Sequence, residues 1–325
     1  MYKLLTFLFF FQAFQVNAGF IAESEPKKIV EEMLLTADVQ VGGTRPWDIQ
    51  VHNQAFYSAV LKGGSLELGE SYMKGWWDCE KLDEFFFNVL RANIQNSIKP
   101  TWAMRWGYIK AKLFNHQDKE GSQIVIDQHY QLGNELYQEM LGSTMAYTCA
   151  YWKDASTLDA AQIAKFDLIA KKLKLQKGMS VLDIGCGWGG FAKYIAENYG
   201  VSVVGITLSQ NQANFAKEHT AGLPVEFRVQ DYRDVTDLFD RVVSIGMFEH
   251  VGTKNYREYM EVAFRCLKEG GLTMLHTIGN NNSSAKIDPW IDRYIFPNAH
   301  LPSIAEIGTA VKGLFIMEDW HNFGP

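Results

Sequence analysis

The chain has 325 residues, room for about two domains. Hydrophobic residues make up 47% and charged residues 21%, which supports a sizeable core and excludes a disordered or coiled-coil chain. The net charge of −6 argues against a broad nucleic-acid-binding face, and four widely spaced cysteines without a CxxC pair (Cys79, Cys149, Cys186, Cys266) argue against a metal site or a disulfide framework.

In chain order, residues 4 to 11 read LLTFLFFF, after Lys3 and before Val16-Asn17-Ala18-Gly19. Over residues 1–18 this resembles a secretory signal peptide. The run is too short for a spanning helix, and a chance apolar leader or a start assigned too far upstream would look the same. Residues 19–125 read as a smaller, mainly helical N-terminal domain. Within it, the stretch from Gly63 to Tyr72 reads as a glycine-punctuated connection into Trp76-Trp77 and Phe85-Phe86-Phe87. Thr101 to Phe114 places Trp102, Trp106, Ile109 and Leu113 at helical spacing, with Arg105, Lys110 and Lys112 interleaved. Such a helix suits an anionic lipid surface, or packs on its own domain with its lysines solvated. An aromatic content of 14% with nine Trp fits an apolar ligand or membrane surface, and equally an aromatic-rich core.

Residues 126–325 change character. Helices are expected over 159–174, 191–199 and 254–268, alternating with short apolar strands at 180–184, 201–206, 225–230, 241–246 and 272–277. Ser209-Gln210-Asn211-Gln212 reads as a capping box opening a further helix. Repeated β–α–β units with short links predict a doubly wound α/β sheet.

The sharpest motif is Val181-Leu182-Asp183-Ile184-Gly185-Cys186-Gly187-Trp188-Gly189-Gly190, between a strand and a helix. Gly185, Gly187 and Gly190 satisfy G-x-G-x-x-G, so a dinucleotide is considered first. Such a site wants an acid roughly 20 residues further on. Here the second strand ends Gly205-Ile206-Thr207-Leu208, with none. Asp183 instead precedes the glycines, where it would repel a pyrophosphate and attract a cation. S-adenosylmethionine, with an ammonium and a sulfonium, is such a ligand.

The glycine loop resembles motif I of class I S-adenosylmethionine-dependent methyltransferases. More narrowly, the chain from about Trp47 to Gly324 resembles the bacterial cyclopropane-fatty-acyl-phospholipid synthases. The resemblance is carried by Gly69-Glu70-Ser71-Tyr72-Met73-Lys74-Gly75-Trp76-Trp77, Tyr147-Thr148-Cys149-Ala150-Tyr151-Trp152, the glycine loop, Gln230-Asp231-Tyr232-Arg233, Gly246-Met247-Phe248-Glu249-His250-Val251-Gly252, His276-Thr277-Ile278-Gly279 and Glu318-Asp319-Trp320-His321-Asn322-Phe323-Gly324. It implies a Rossmann-like methyltransferase sheet and transfer of a methyl from S-adenosylmethionine to a cis double bond of an unsaturated phospholipid acyl chain. A cyclopropane ring then closes, with bound bicarbonate as the base. It also implies that Cys149, Glu249, His276 and the backbone of Ile278 hold the bicarbonate. For the cofactor it implies Asp183, Gly185, Gly187 and Gly189 at the methionine part, Tyr147 and Thr148 closing over it, Thr207 and Gln212 on the ribose side, and Asp231 and Tyr232 facing adenine. Capping is the rival role for Gln212.

Because S-adenosylmethionine is kept inside cells, the resemblance implies a cytoplasmic enzyme, peripheral on the inner membrane leaflet, rather than an exported one. A homodimer is left open. Relatives that methylate amines or make methyl branches are the competing enzyme readings, and an inactive truncated paralogue is the third. The resembling synthases continue past the position of Pro325 with a last antiparallel strand. Leu314 to Trp320 is therefore expected as a strand short of its neighbour, in a chain with little or no activity by itself.

Overall fold

The structure is a computed structural model that describes residues 24–94, 133–283 and 287–323. The leader over 1–18, the basic aromatic helix over 101–114 and the expected domain boundary at 125/126 lie outside the described residues. The chain divides into two compact units. Residues Asp288–Trp290 group with the first unit, a return that a linear division does not contain.

In the first unit, helix α1 (Ser24–Thr36) is followed by strand β1 (Gln50–Val51), helices α2 (Ala55–Gly63) and α3 (Ser65–Met73), strand β2 (Trp77–Asp78) and helix α4 (Leu82–Arg91). β1 and β2 pair antiparallel. Val30, Leu34, Phe56, Trp77 and Phe85 form the core. The Trp77 indole N–H is satisfied inside it by the Leu68 carbonyl and the Ser71 hydroxyl, both at 3.1 Å. The expected connection over 63–72 is therefore mostly the helix α3. The break is confined to Gly64, and Ser65-Leu66-Glu67-Leu68 are good enough helix formers to carry one glycine, Gly69, in the interior.

The second unit holds α5 (Asn134–Leu141), α6 (Leu158–Lys172), β3 (Ser180–Ile184), α7 (Gly190–Tyr199), β4 (Ser202–Thr207), α8 (Gln210–His219), β5 (Val225–Val229), β6 (Phe239–Ile245), α9 (Tyr256–Arg265) and β7 (Leu267–His276). Then come α10 (Pro289–Tyr294), whose first residues belong to the Asp288–Trp290 stretch, and α11 (Ile304–Val311). The sheet is β5-β4-β3-β6-β7, every pairing parallel. Val181 on β3 packs with Phe166, Ile169 and Ile195 on one face, and Leu182 and Ile184 pack with Tyr259, Met260 and Ile307 on the other. Both faces being covered at the centre, the inner strands β3 and β4 are near-continuous apolar runs, whereas β5 at the edge alternates as Val225-Glu226-Phe227-Arg228-Val229.

This is the expected doubly wound α/β sheet. Among the described residues no antiparallel strand joins the five, and β7 pairs with β6 alone. Leu314–Trp320 is not a strand. Leu314 and Phe315 pack on the core, whereas Ile316 is 91% exposed, because an apolar run makes a strand only where a neighbouring backbone takes its hydrogen bonds. Ion pairs of Lys172 with Asp319 and Lys174 with Glu318 tie this segment to the end of α6 instead. No described helix is long and apolar enough to cross a membrane.

Candidate active site

From β3 the chain winds outward through β4 and β5, and β6 and β7 build the other side. The strand order thus reverses between β3 and β6, and ligands of open α/β sheets sit beyond the strand C-termini at such a point. Asp183, paired in register with Gly205 on β4 and Val243 on β6, lies at that end of β3. Gly185, Gly187 and Gly189 follow with φ of 80°, 55° and 83°, values that side chains with a Cβ rarely adopt, and the turn feeds the N-terminus of α7.

A cleft opens here, and Tyr147, Thr148, Asp183, Gly185, Gly187 and Gln212 all line it. Asp183 is buried, and lack of solvent pushes its carboxyl up to about 7. A carboxyl in that state gains most from a cationic ligand. Tyr147 joins an aromatic wall, with Phe296 at 5.9 Å and Tyr137 at 5.8 Å, and Tyr137 in turn packs on Trp188 at 4.6 Å.

Four expected cofactor residues, Gly189, Thr207, Asp231 and Tyr232, do not line this cleft. Gly189 caps α7 instead. The Thr207 hydroxyl donates to the Gln212 side-chain oxygen at 2.7 Å and accepts the Ser209 N–H at 3.1 Å. Ser209 accepts the Gln212 N–H at 3.3 Å. The capping box is therefore only half made, because the Gln212 side chain turns to Thr207. Asp231 is taken up by Arg233, accepting its backbone N–H at 2.9 Å and its guanidinium at 3.0 Å. Tyr232 is buried in the core, 5.1 Å from the ring of Tyr259.

Beside the cleft, the ends of β6 and β7 are locked in register, Ile245 against His276, and the Gly246 N–H donates to the His276 carbonyl at 2.9 Å. Glu249 follows β6 on a single 3₁₀ turn and is buried. One of its carboxylate oxygens accepts the Ile278 N–H at 2.7 Å, while the other is buried without a partner. The Ile278 N–H, expected to hold bicarbonate, is thus committed to Glu249. The Nδ1 atom of His276 is also buried and unpaired. Burial raises the Glu249 carboxyl above the ordinary range, against the opposing pull of the Ile278 N–H. Burial, with help from Lys165, lowers His276 to about 4. The neutral imidazole carries one donor and the free Glu249 oxygen can accept, so the two side chains together suit a small oxyanion with a hydroxyl of its own. Cys149 is exposed next to Thr148.

Lys165 and Gln162 on α6 had not been singled out from the sequence. Both are buried, Lys165 completely. Gln162 donates to the carbonyls of Ala146 (3.1 Å) and Thr148 (2.9 Å), and Lys165 donates to the Thr148 hydroxyl. A signal was present: Ala161, Lys165 and Ile169 stand at i, i+4 and i+8, so the lysine falls on the apolar stripe of its helix.

A parallel sheet reversing at β3/β6, with a buried acid and a glycine turn before α7, defines a class I S-adenosylmethionine-dependent methyltransferase. Solved structures agree. Mycolic acid cyclopropane synthase CmaA1 complexed with SAH and CTAB matches with a TM-score of 0.54 and 36% identity, over 58% of this chain and 73% of that one. Coclaurine N-methyltransferase bound to N-methylheliamine and SAH matches with a TM-score of 0.62 and 25% identity, over 76% of each chain. A sequence profile described as "Mycolic acid cyclopropane synthetase" matches residues 117–325. Among curated proteins, the cyclopropane-fatty-acyl-phospholipid synthase of Escherichia coli (strain K12) is 52% identical over 297 residues, 91% of this chain and 78% of that protein. The chain belongs to the mycolic acid cyclopropane synthetase family.

Proposed function

We propose that the chain transfers a methylene unit from S-adenosylmethionine to a cis double bond of an unsaturated phospholipid acyl chain. The 52% identity to a curated synthase of that name carries the reading. The unpaired Glu249 oxygen and His276 Nδ1 are compatible with it, since the reaction needs a held base to take a proton from the transferred methyl.

The reaction sets its own demands. The alkene π electrons form a bond to the methyl carbon as the carbon–sulfur bond breaks and the sulfur leaves as a neutral thioether. The resulting carbocation loses a proton from the transferred methyl, and that C–H electron pair closes the ring. Asp183 would bind the ammonium of the methyl donor and hold it in line. Tyr147, Trp188 and Phe296 would keep water from a cation that water would capture as an alcohol. Glu249 and His276 would hold bicarbonate with Cys149 beside them, and bicarbonate would supply the base for the departing proton. The substrate lies in a bilayer, so the enzyme works as a peripheral protein on the membrane face where the donor is available.

The test is lipid mass spectrometry of a cyclopropane-free host expressing the chain. Unsaturated phospholipids heavier by one CH₂, with the double bond lost, support the reading. A methyl branch or a methylated amine, or unchanged lipids, refutes it.

A further inference from the structure

Lys165 is completely buried on α6, and the hydrogen bond it makes is to the Thr148 hydroxyl. No carboxylate forms an ion pair with it among the described residues. A buried ammonium without a counter-ion is costly unless a ligand supplies the charge.

Its surroundings fix the direction of that charge. Gln162, one turn earlier on the same helix, pins the backbone on both sides of Tyr147. The Thr148 methyl lies flush on Gly246, where an added Cβ would come within 2.2 Å of Cγ2. With the methyl held there and the oxygen accepting from Lys165, the hydroxyl hydrogen of Thr148 is left for another acceptor. Thr148 lines the cleft, and Gly246 is hydrogen-bonded to the backbone of His276. An ammonium has donors only, so a charged Lys165 always makes Thr148 the acceptor.

We infer that Lys165 is a positioning residue that turns the Thr148 hydroxyl into a donor for a carboxylate-type oxyanion bound in the cleft, and supplies that anion's counter-charge. Two sources have this chemistry: bicarbonate beside Glu249 and His276, and the methionyl carboxylate of S-adenosylmethionine. The inference deepens the functional reading above and rests on it for the identity of these ligands. Burial draws Lys165 down to about 7 against a weaker upward pull from Cys149, so an arriving anion would also secure its proton.

The test measures binding, not turnover, so it fails or succeeds apart from the methylene-transfer reading. The full chain, Lys165→Met, Lys165→Arg, Thr148→Val and the double variant Lys165→Met/Thr148→Val are each titrated by calorimetry with bicarbonate and, separately, with S-adenosylmethionine. The expected result is a loss of about tenfold or more in affinity for one of the two probes with Lys165→Met, the other staying within about threefold. The probe that weakens identifies the oxyanion. Thr148→Val should show the same loss, Lys165→Arg should recover part of it, and the double variant should be no worse than either single one. Unchanged binding in Thr148→Val overturns the inference even where Lys165→Met fails to fold. Additive losses, or equal loss of both probes with a lowered unfolding temperature, also overturn it by marking a packing role.

Discussion

The two sides of the switch point treat their buried polar groups differently. On the β4 side, Thr207, Ser209 and Gln212 satisfy one another, and Asp231 is satisfied by Arg233. On the β6–β7 side, one oxygen of Glu249 and Nδ1 of His276 are buried with nothing to bond. Leaving a buried polar group unpaired costs about 1–3 kcal/mol. The contrast is one of degree, since the Tyr232 hydroxyl next to Asp231 is also buried without a partner, and under the proposed function Glu249 and His276 are the pair that a ligand would satisfy. Of the first group only Gln212 lines the cleft, and Glu249 and His276 lie beside it, where the proposed chemistry needs a base.

The largest effects should therefore come from the unsatisfied side. Glu249→Gln and His276→Ala are each expected to lower ring formation by about 10²–10⁴, the range for removing a group that serves proton transfer. S-adenosylmethionine affinity should stay within a few-fold in both. Lipid mass spectrometry and calorimetric titration measure the two quantities. Loss of cofactor binding in both variants would erase the distinction between the walls.

Next comes Asp183, which borders both. Its carboxyl sits at about 7 in the ligand-free protein, against 3.8 for the ordinary side chain. The folded protein thus holds this proton more tightly than the unfolded chain does. The stability this contributes is complete below about pH 4 and is lost as the pH rises through about 7. Binding has the opposite sign: the ammonium of the donor needs the carboxylate, so affinity should rise with pH through the same range. Asp183→Asn should weaken S-adenosylmethionine binding about tenfold to a hundredfold. It should also flatten the difference in unfolding temperature between pH 4 and pH 8. A variant whose affinity and pH profile match the parent's would show that Asp183 is a core residue.

How much of this was legible depends on the physics that each residue reports. The strands β3, β4 and β6 were readable because both faces of a parallel sheet are covered, which leaves continuous apolar runs. The glycine turn was readable because few residues tolerate its φ values. Lys165 was not, since a lysine in a helix is normally solvated and only its place on the apolar stripe betrays it. The helix over Ser65–Met73 was hidden by its glycines, and the absence of a strand over Leu314–Trp320 by an apolar pattern whose meaning depends on a neighbour. The pairing of Asp231 to Arg233, two positions on, is a matter of side-chain direction that no spacing encodes. Glu249, His276 and Cys149 were named through family resemblance. Which of their atoms are unpaired emerged only from the packing.

On the satisfied wall, the cost should appear in stability more than in chemistry. Thr207→Val removes the donor to the Gln212 oxygen and the acceptor for the Ser209 N–H, both buried, and should cost about 1–3 kcal/mol by thermal or denaturant unfolding. Ring formation per folded molecule should fall less than in either Glu249→Gln or His276→Ala. An equal fall would mean that Thr207 belongs with the reacting groups.

The smallest expected effect compares two serine caps. Ser303 opens α11 with a full capping box: its hydroxyl accepts the Glu306 N–H at 3.2 Å, and the Glu306 carboxylate accepts the Ser303 N–H at 2.8 Å. The same hydroxyl bonds Ser283 at 2.7 Å. Ser209 opens α8 with one long bond of 3.3 Å, because Gln212 has turned its side chain to Thr207. Removing a serine cap costs about 0.5–2 kcal/mol. Ser303→Ala should fall at the upper end of that range, since the same hydroxyl also donates to the Glu306 carboxylate at 2.9 Å, and Ser209→Ala at the lower end. The order, read from unfolding midpoints, is the sensitive part. If Ser209→Ala costs as much as Ser303→Ala, then Gln212 completes the Ser209 box in solution. Its amide would then be lost to Thr207, and the β4 wall would no longer be the self-satisfied partner of the β6–β7 pocket.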